Sequence, residues 1–224
     1  MSKSEPKLAG LMAGLAARSN TARSGRRKFA LSLGLVSALA LSGCSTIGLE
    51  VAPNIYDLRA PASIDVGGRR TGRQLLVADP VAVRFYATDR IVVRDSAATL
   101  AYFPRALWSD ALPQLVQARL AESLERTGRA RAVGRPGQGL LIDTRLVPEI
   151  RAFEIEIGEG GTAQAVVDIS LKVMNDSNGR ILATRAFVVR VPSASDSTED
   201  GVEALNAAMG EALGEMVRFV LDTV

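Results

Sequence analysis

Histidine is absent from the 224 residues, and Cys44 carries the only thiol. The commonest general base is therefore missing, and neither a Ser-His-Asp nor a Cys-His arrangement can be assembled. Zinc, iron and copper sites lose their usual ligands for the same reason. Carboxylate or amine chemistry remains, yet beyond Cys44 the chain has one lysine, Lys172, set among outward-facing strand positions. Glu154 and Glu156 are the best-placed carboxylates: two residues apart in an alternating stretch, they share a strand face at a separation of about 7 Å. That spacing is compatible with an inverting glycosidase pair. Such pairs are also ordinary on solvated strand faces, and with aromatics at 4% no sugar platform accompanies this one. The Gly-rich turns at 134–139 and 158–161 lack the lysine and the strand-to-helix setting of a phosphate loop. The expectation is a protein that is not an enzyme, with no catalytic residue, no cofactor and no metal.

The chemistry of Cys44 depends on what precedes it. Arg26, Arg27 and Lys28 form a basic cluster, and residues 29–41 form an uncharged apolar run of signal-peptide length. The run is shorter than the roughly 20 residues a spanning helix needs, and it stops at Ser42-Gly43-Cys44. Leu41-Ser42-Gly43-Cys44 resembles the bacterial lipobox. The resemblance implies a diacylglycerol thioether on the Cys44 sulfur, cleavage between Gly43 and Cys44, and acylation of the freed amine. Several acyl chains make attachment stable where one is marginal, at about 0.8 kcal/mol per buried methylene. The alternative is an ordinary secretory signal followed by a small free-thiol residue, a liability in an oxidising compartment. Arg26-Arg27 followed by Phe29 also resembles a twin-arginine export signal, and both routes stay open, as does a start at Met12 rather than Met1. Ser45 stands where an aspartate would signal inner-membrane retention in enterobacterial lipoproteins, so the resemblance implies transfer to the periplasmic face of the outer membrane.

Cleavage there leaves a chain of 181 residues, one domain's worth plus a tether. Seven of the 27 Lys and Arg residues lie before Cys44, opposed only by Glu5. The mature part therefore has 20 basic and 23 acidic residues, a net charge of −3. The basic whole-chain pI belongs to the leader, and no nucleic-acid partner is implied.

Three parts follow: a signal peptide at 1–43, an acylated N-terminus and tether at 44–73, and an α/β domain at 74–224. Within the tether, residues 55–58 alternate as a short strand that docks on a sheet edge. Residues 67–73 place three arginines among glycines, read either as a solvated loop or as a grip on lipid phosphates. Residues 74–85 predict a buried strand kinked at Asp79-Pro80. Residues 90–94 and 99–103, joined by a polar turn, predict a hairpin. Residues 108–127 predict a helix with Trp108, Leu112, Leu120 and Leu124 on its apolar face, capped by Ser109 or Asp110 and ended by Gly128. Trp108 anchors the helix start in the core or, alternatively, stacks on a ligand. Residues 140–157 read as two strands separated by Pro148. Residues 163–174 and 180–191 read as two more, joined through a type I′ turn at Asn178-Gly179. A helix over 203–223, capped near Ser197 or Thr198, carries a stripe of Val202, Leu205, Met209, Leu213, Met216 and Val220. The stripe reads as core, or as a groove for apolar ligands because methionine surfaces adapt. The fold class is thus α/β: a single compact domain, a mixed sheet with an antiparallel meander covered by two amphipathic helices.

The landmarks Tyr56-Asp57-Leu58, Leu76-Val77-Ala78-Asp79-Pro80, Arg90-Ile91-Val92-Val93-Arg94, Tyr102, Trp108 to Pro113, Phe153-Glu154 and Asn178-Gly179-Arg180 occur in an order that resembles the ABC-type transport auxiliary lipoprotein family. The resemblance spans nearly the whole mature chain. Between Tyr102 and Trp108 the sequence departs from it, being apolar where relatives are polar. It implies a compact α/β fold and an outer-membrane lipoprotein partner of MCE-type ABC systems that move phospholipids or other apolar molecules across the envelope. The partners implied are the outer membrane through acyl chains, a periplasmic MCE protein, and other copies of the chain in a ring, with Tyr102, Phe103 and Trp108 as the candidate contact surface. The competing reading is a ligand-binding or envelope-stabilising lipoprotein unconnected with ABC transport.

Overall fold

A long central strand, β7 (Thr144–Ile157), organises the domain. The computed structural model describes residues 52–224, without the side chain of Glu159. Cys44, Gly43 and the basic and apolar leader lie outside the described residues.

Along one edge, β7 pairs antiparallel with β8 (Ala163–Asn175) over its whole length, and β8 pairs antiparallel with β9 (Ile181–Pro192), completing the expected meander. The other edge is shared by three short parallel strands laid end to end: β2 (Gln74–Val77), β3 (Val81–Ala82) and β4 (Arg90–Ser96). Beyond β4 lie β5 (Thr99–Trp108) and then β1 (Asn54–Tyr56), and beyond β2 lies β6 (Ala132–Gly134). Among the described residues the result is one nine-stranded mixed sheet. Helices α1 (Leu112–Arg126) and α2 (Thr198–Thr223) contact the sheet and each other.

The kink expected at Asp79-Pro80 separates β2 from β3. Pro148 is not a break: it sits buried inside β7, in register with Leu171. On the other edge it falls between the partners of β2, which end at Leu146, and those of β3, which begin at Glu149. A proline without a donor is tolerated where no ladder bond is required. The real irregularity of β7 is a bulge at Arg151. Before it Leu146 and Ile150 are buried, and after it Phe153 and Ile155 are, so the extra residue changes the phase of the alternation.

Trp108 ends a strand rather than opening a helix. It pairs with Tyr56, is 3% exposed and meets the Phe153 ring edge-on at 6.0 Å. Helix α1 begins at Leu112 behind Ala111, with no side-chain cap, so neither Ser109 nor Asp110 caps it. The Asp110 carboxylate instead accepts from the Ala111 N–H at 2.7 Å, while Ser109 donates to Asp57. The expected helical face of α1 is buried from Leu112 to Leu124.

Helix α2 starts five residues before the expected boundary, because Ser197 Oγ accepts from the Asp200 N–H at 3.2 Å and caps the first turn. Its first turns press on the sheet: a Cβ at Gly201 would lie 3.1 Å from Ile155 Cγ1, so only glycine allows this approach without the isoleucine yielding. All six stripe residues are buried. The β8–β9 turn is not type I′. Gly179 has φ +70, while Asn178 is not in the left-handed region. The Asn175 N–H reaches the Arg180 carbonyl at 2.8 Å across a longer loop that needs one left-handed residue.

The part of the 44–73 segment described, from residue 52 on, is held along the domain. Leu58 is fully buried, the Arg59 N–H donates to Asn206 at 2.8 Å, and Arg119 and Arg126 donate to the Leu58 and Pro61 carbonyls. Among the described residues every strand pairing and every core residue falls within residues 54–224, so this part contains its own folding unit.

Candidate functional site

The two glutamates singled out by sequence have different surroundings. Glu154 was expected on a solvated face, but it is 1% exposed. Residues 83–89, between β3 and β4, lie across the sheet here: the Tyr86 hydroxyl donates to Glu154 Oε2 at 2.5 Å, and Phe85 stacks on Tyr102 of β5 at 4.4 Å. Arg94 of β4 completes the group, with Nε 2.6 Å from Oε1 and Nη2 3.2 Å from Oε2. Val92, level with Glu154 on the neighbouring strand, and Val166, its partner across β7–β8, are both buried.

A carboxylate fully withdrawn from water is tolerable only when its charge is paired and its lone pairs are used. Here three donor contacts from two side chains meet that need. Burial, then the hydrogen bond to the Glu154 carboxylate, pushes the Tyr86 phenol well above its usual range. The bond to Glu154 also raises the pKa of Arg94. Glu156 accepts from Gln164 Nε2 at 2.9 Å and borders an open groove of about 520 Å³ lined by Arg94, Gln164 and Pro192. The two carboxylates therefore do not face a common opening. Among the described residues no cluster of three or more Asp, Glu, Cys or His side chains could hold a metal ion.

The candidate contact residues are also separated. Trp108 is buried in the core. Tyr102 is half-buried on the face that Phe85 covers, with its hydroxyl donating to the Phe85 carbonyl at 3.2 Å and Arg90 4.3 Å above its ring. Phe103 points the other way and packs by Gly201 of α2. What reaches the surface between them is Pro104 and Arg105, on an excursion of β5 whose register against β4 slips between Tyr102 and Leu107. Arg105 has φ +55, a strained setting for a residue other than glycine. The apolar spacing of 102–108 suggested a surface because the sequence did not reveal this excursion.

Residues 67–73, read as loop or phosphate grip, run beside residues 128–131 at the end of α1. The Thr71 N–H bonds the Arg129 carbonyl at 2.8 Å, and the Arg131 N–H bonds the Arg73 carbonyl at 3.0 Å. Arg70 donates to the Gly128 carbonyl at 2.8 Å, while Arg129 donates to the carbonyls of Arg69 and Gly67. Among the described residues no helix is long and apolar enough to cross a membrane.

The sequence model of the family described as ABC-type transport auxiliary lipoprotein component matches residues 56–217. The uncharacterised protein bll6063 of Bradyrhizobium diazoefficiens is 30% identical over 167 residues, which are 72% of this chain and 43% of that one. The chain thus spans less than half the length of that curated relative. Among solved structures, protein XCC0632 from Xanthomonas campestris is similar at a TM-score of 0.71 and 26% identity, over 76% of this chain and 96% of that one. A second, uncharacterised protein shares the fold at a TM-score of 0.60 and 16% identity, over 76% and 99% of the two chains.

Proposed function

The chain belongs to the ABC-type transport auxiliary lipoprotein component family, and from that membership we propose that it is the outer-membrane-anchored periplasmic auxiliary lipoprotein of an MCE-type system. It assists the movement of phospholipids or other apolar molecules across the envelope by docking and binding, not by catalysis. Residues 1–43 are removed, Cys44 is acylated, residues 44–73 link the anchor to the domain, and residues 74–224 make the contacts with partners. The observation that carries this reading is the family match over residues 56–217, downstream of Leu41-Ser42-Gly43-Cys44. The domain supports docking: Trp108, Phe153 and Phe187 are consumed in the core, and the buried Glu154 carboxylate is held by Tyr86 and Arg94. Copies of the chain assemble as a ring against the MCE protein, with the β5 excursion at Pro104-Arg105 as the contact.

The test is affinity purification of a C-terminally tagged chain from cross-linked envelopes, followed by mass measurement. Co-recovery of an MCE protein with a permease and an ATPase is expected, together with multiples of the chain's own mass. A Cys44→Ala variant should accumulate as an unprocessed precursor. A strict monomer without transporter components would reject the docking role, and normal processing of the Cys44 variant would reject the anchor.

A further inference from the structure

Seven arginines of the domain, Arg59, Arg94, Arg119, Arg126, Arg145, Arg151 and Arg185, pair with carboxylates. The other thirteen Lys and Arg side chains of the described residues do not, and five of these, Arg69, Arg70, Arg73, Arg129 and Arg131, are brought together by the backbone bonds between residues 67–73 and 128–131. Asp65 and Glu125 are near in sequence and bridge to none of them. Arg70 and Arg129 are fixed by backbone carbonyls, neutral acceptors that orient a guanidinium without cancelling its charge. The side chains of Arg69, Arg73 and Arg131 are exposed and make no hydrogen bond or ion pair among the described residues. A domain of net negative charge thus gathers five of its thirteen cations without a carboxylate partner in one strip.

We propose that this strip is a binding surface for the phosphate headgroups of an anionic bilayer. Four of the five arginines are exposed on open surface, a layout suited to many phosphates in a plane rather than to one enclosed anion. Planar guanidinium groups are the side chains best matched to phosphate oxygens. Juxtamembrane arginines gain about a factor of five each from an anionic surface. The geometry permits anchor and strip to act together: ten residues from Cys44 to Asn54 reach at most about 35 Å, while α1, which separates the β1 end of the domain from the strip, is about 22 Å long. The strip would thereby set which side of the domain faces the membrane. This needs the chain to be at a membrane, not to serve a particular transporter, so its failure and that of the docking role are distinguishable.

The experiment is co-sedimentation of residues 45–224, without acyl chains, with vesicles of phosphatidylcholine alone or with a third phosphatidylglycerol. Binding to the anionic vesicles only, lost on adding salt, is expected. Replacing Arg69, Arg73 and Arg131 by glutamine leaves every described hydrogen bond of the strip in place and should weaken binding about a hundredfold at low ionic strength. An Arg180→Gln, Arg190→Gln variant, neutralising two guanidiniums of the β9 region, should bind like the parent, and circular dichroism should show all variants folded. Equal binding by the triple variant, equal loss in the β9 variant, or displacement by millimolar inorganic phosphate at constant ionic strength would each overturn the proposal.

Discussion

The two faces of the sheet are buried by different means. On one, α1 and α2 lay continuous apolar stripes over Leu146, Ile150, Phe153, Ile155, Val167, Ile169 and Phe187, and the side chains meet without a charged group among them. On the other, the cover is the short crossing of residues 83–89 over β4 and β7, and the centre is an ion pair with a phenol. Farther along β9 this second face opens: Val188 is 50% exposed and Leu182 45%. A helix covers a sheet with area, so burial there is additive and tolerant. A seven-residue crossing covers little, and the polar groups it traps must satisfy one another completely.

The sharpest way to break the apolar face is a charge in its middle. Leu213, fully buried in α2, replaced by aspartate loses an aliphatic side chain and buries an unpaired carboxylate, at a cost of about 5 kcal/mol or more. That is comparable with the whole stability of an ordinary domain, so thermal melting should show a protein unfolded or nearly so at 37 °C. An unchanged midpoint would mean the stripe is open to a ligand.

On the opposite face the matching test is Glu154→Ala. It leaves Arg94 and the Tyr86 hydroxyl without their acceptor, and breaking a buried pair costs about 3–5 kcal/mol. The lower end applies because the Arg94 side chain is 27% exposed and can recover water. Replacing Glu154, Arg94 and Tyr86 together by Leu, Met and Phe should restore most of the loss in urea unfolding. If Glu154→Ala costs under about 1 kcal/mol, the ion pair does not hold the second face together.

The apolar face was legible in the sequence because its signals are local: the steps of Val202 to Val220, the alternation of Ala165 to Val173, and the Ser197 cap each lie within one element. The edge strand at Tyr56 and the family landmarks were legible as well. The polar face was not, because alternation says which residues share a face and nothing about what lies over it. Glu154 and Glu156 look alike in sequence, and only the crossing of Phe85 and Tyr86, some 68 residues earlier, separates them. Two adjacent aromatics in a chain so poor in them were the available signal. The bulge at Arg151 and the excursion at Arg105 escaped for a related reason: each is set by pairing with strands distant in sequence. Trp108 fits a helical period and a strand end equally well, and Tyr56 opposite it decides between them.

The gentlest probe of the comparison is Tyr86→Phe, which keeps the ring and removes only the hydroxyl. Near neutral pH it should destabilise by about 1–2 kcal/mol, the worth of a hydrogen bond to a charged acceptor. The sign of the effect then changes with alkali. The folded phenol holds its proton well above the ordinary range, through burial and the Glu154 carboxylate beside it, whereas the unfolded phenol ionises near pH 10. Below about pH 10 both states are protonated and the contribution of Tyr86 is fully present. Above that, the unfolded state loses a proton that the folded state keeps, and stability falls by up to about 1.4 kcal/mol per pH unit. The phenylalanine variant lacks this loss while sharing every other titration, so the two urea midpoints should converge as pH rises and meet about one unit above pH 10. A constant gap between pH 7 and 11 would mean that Tyr86 ionises as readily in the folded domain as in the unfolded chain, and that the crossing of residues 83–89 does not seal this face against water.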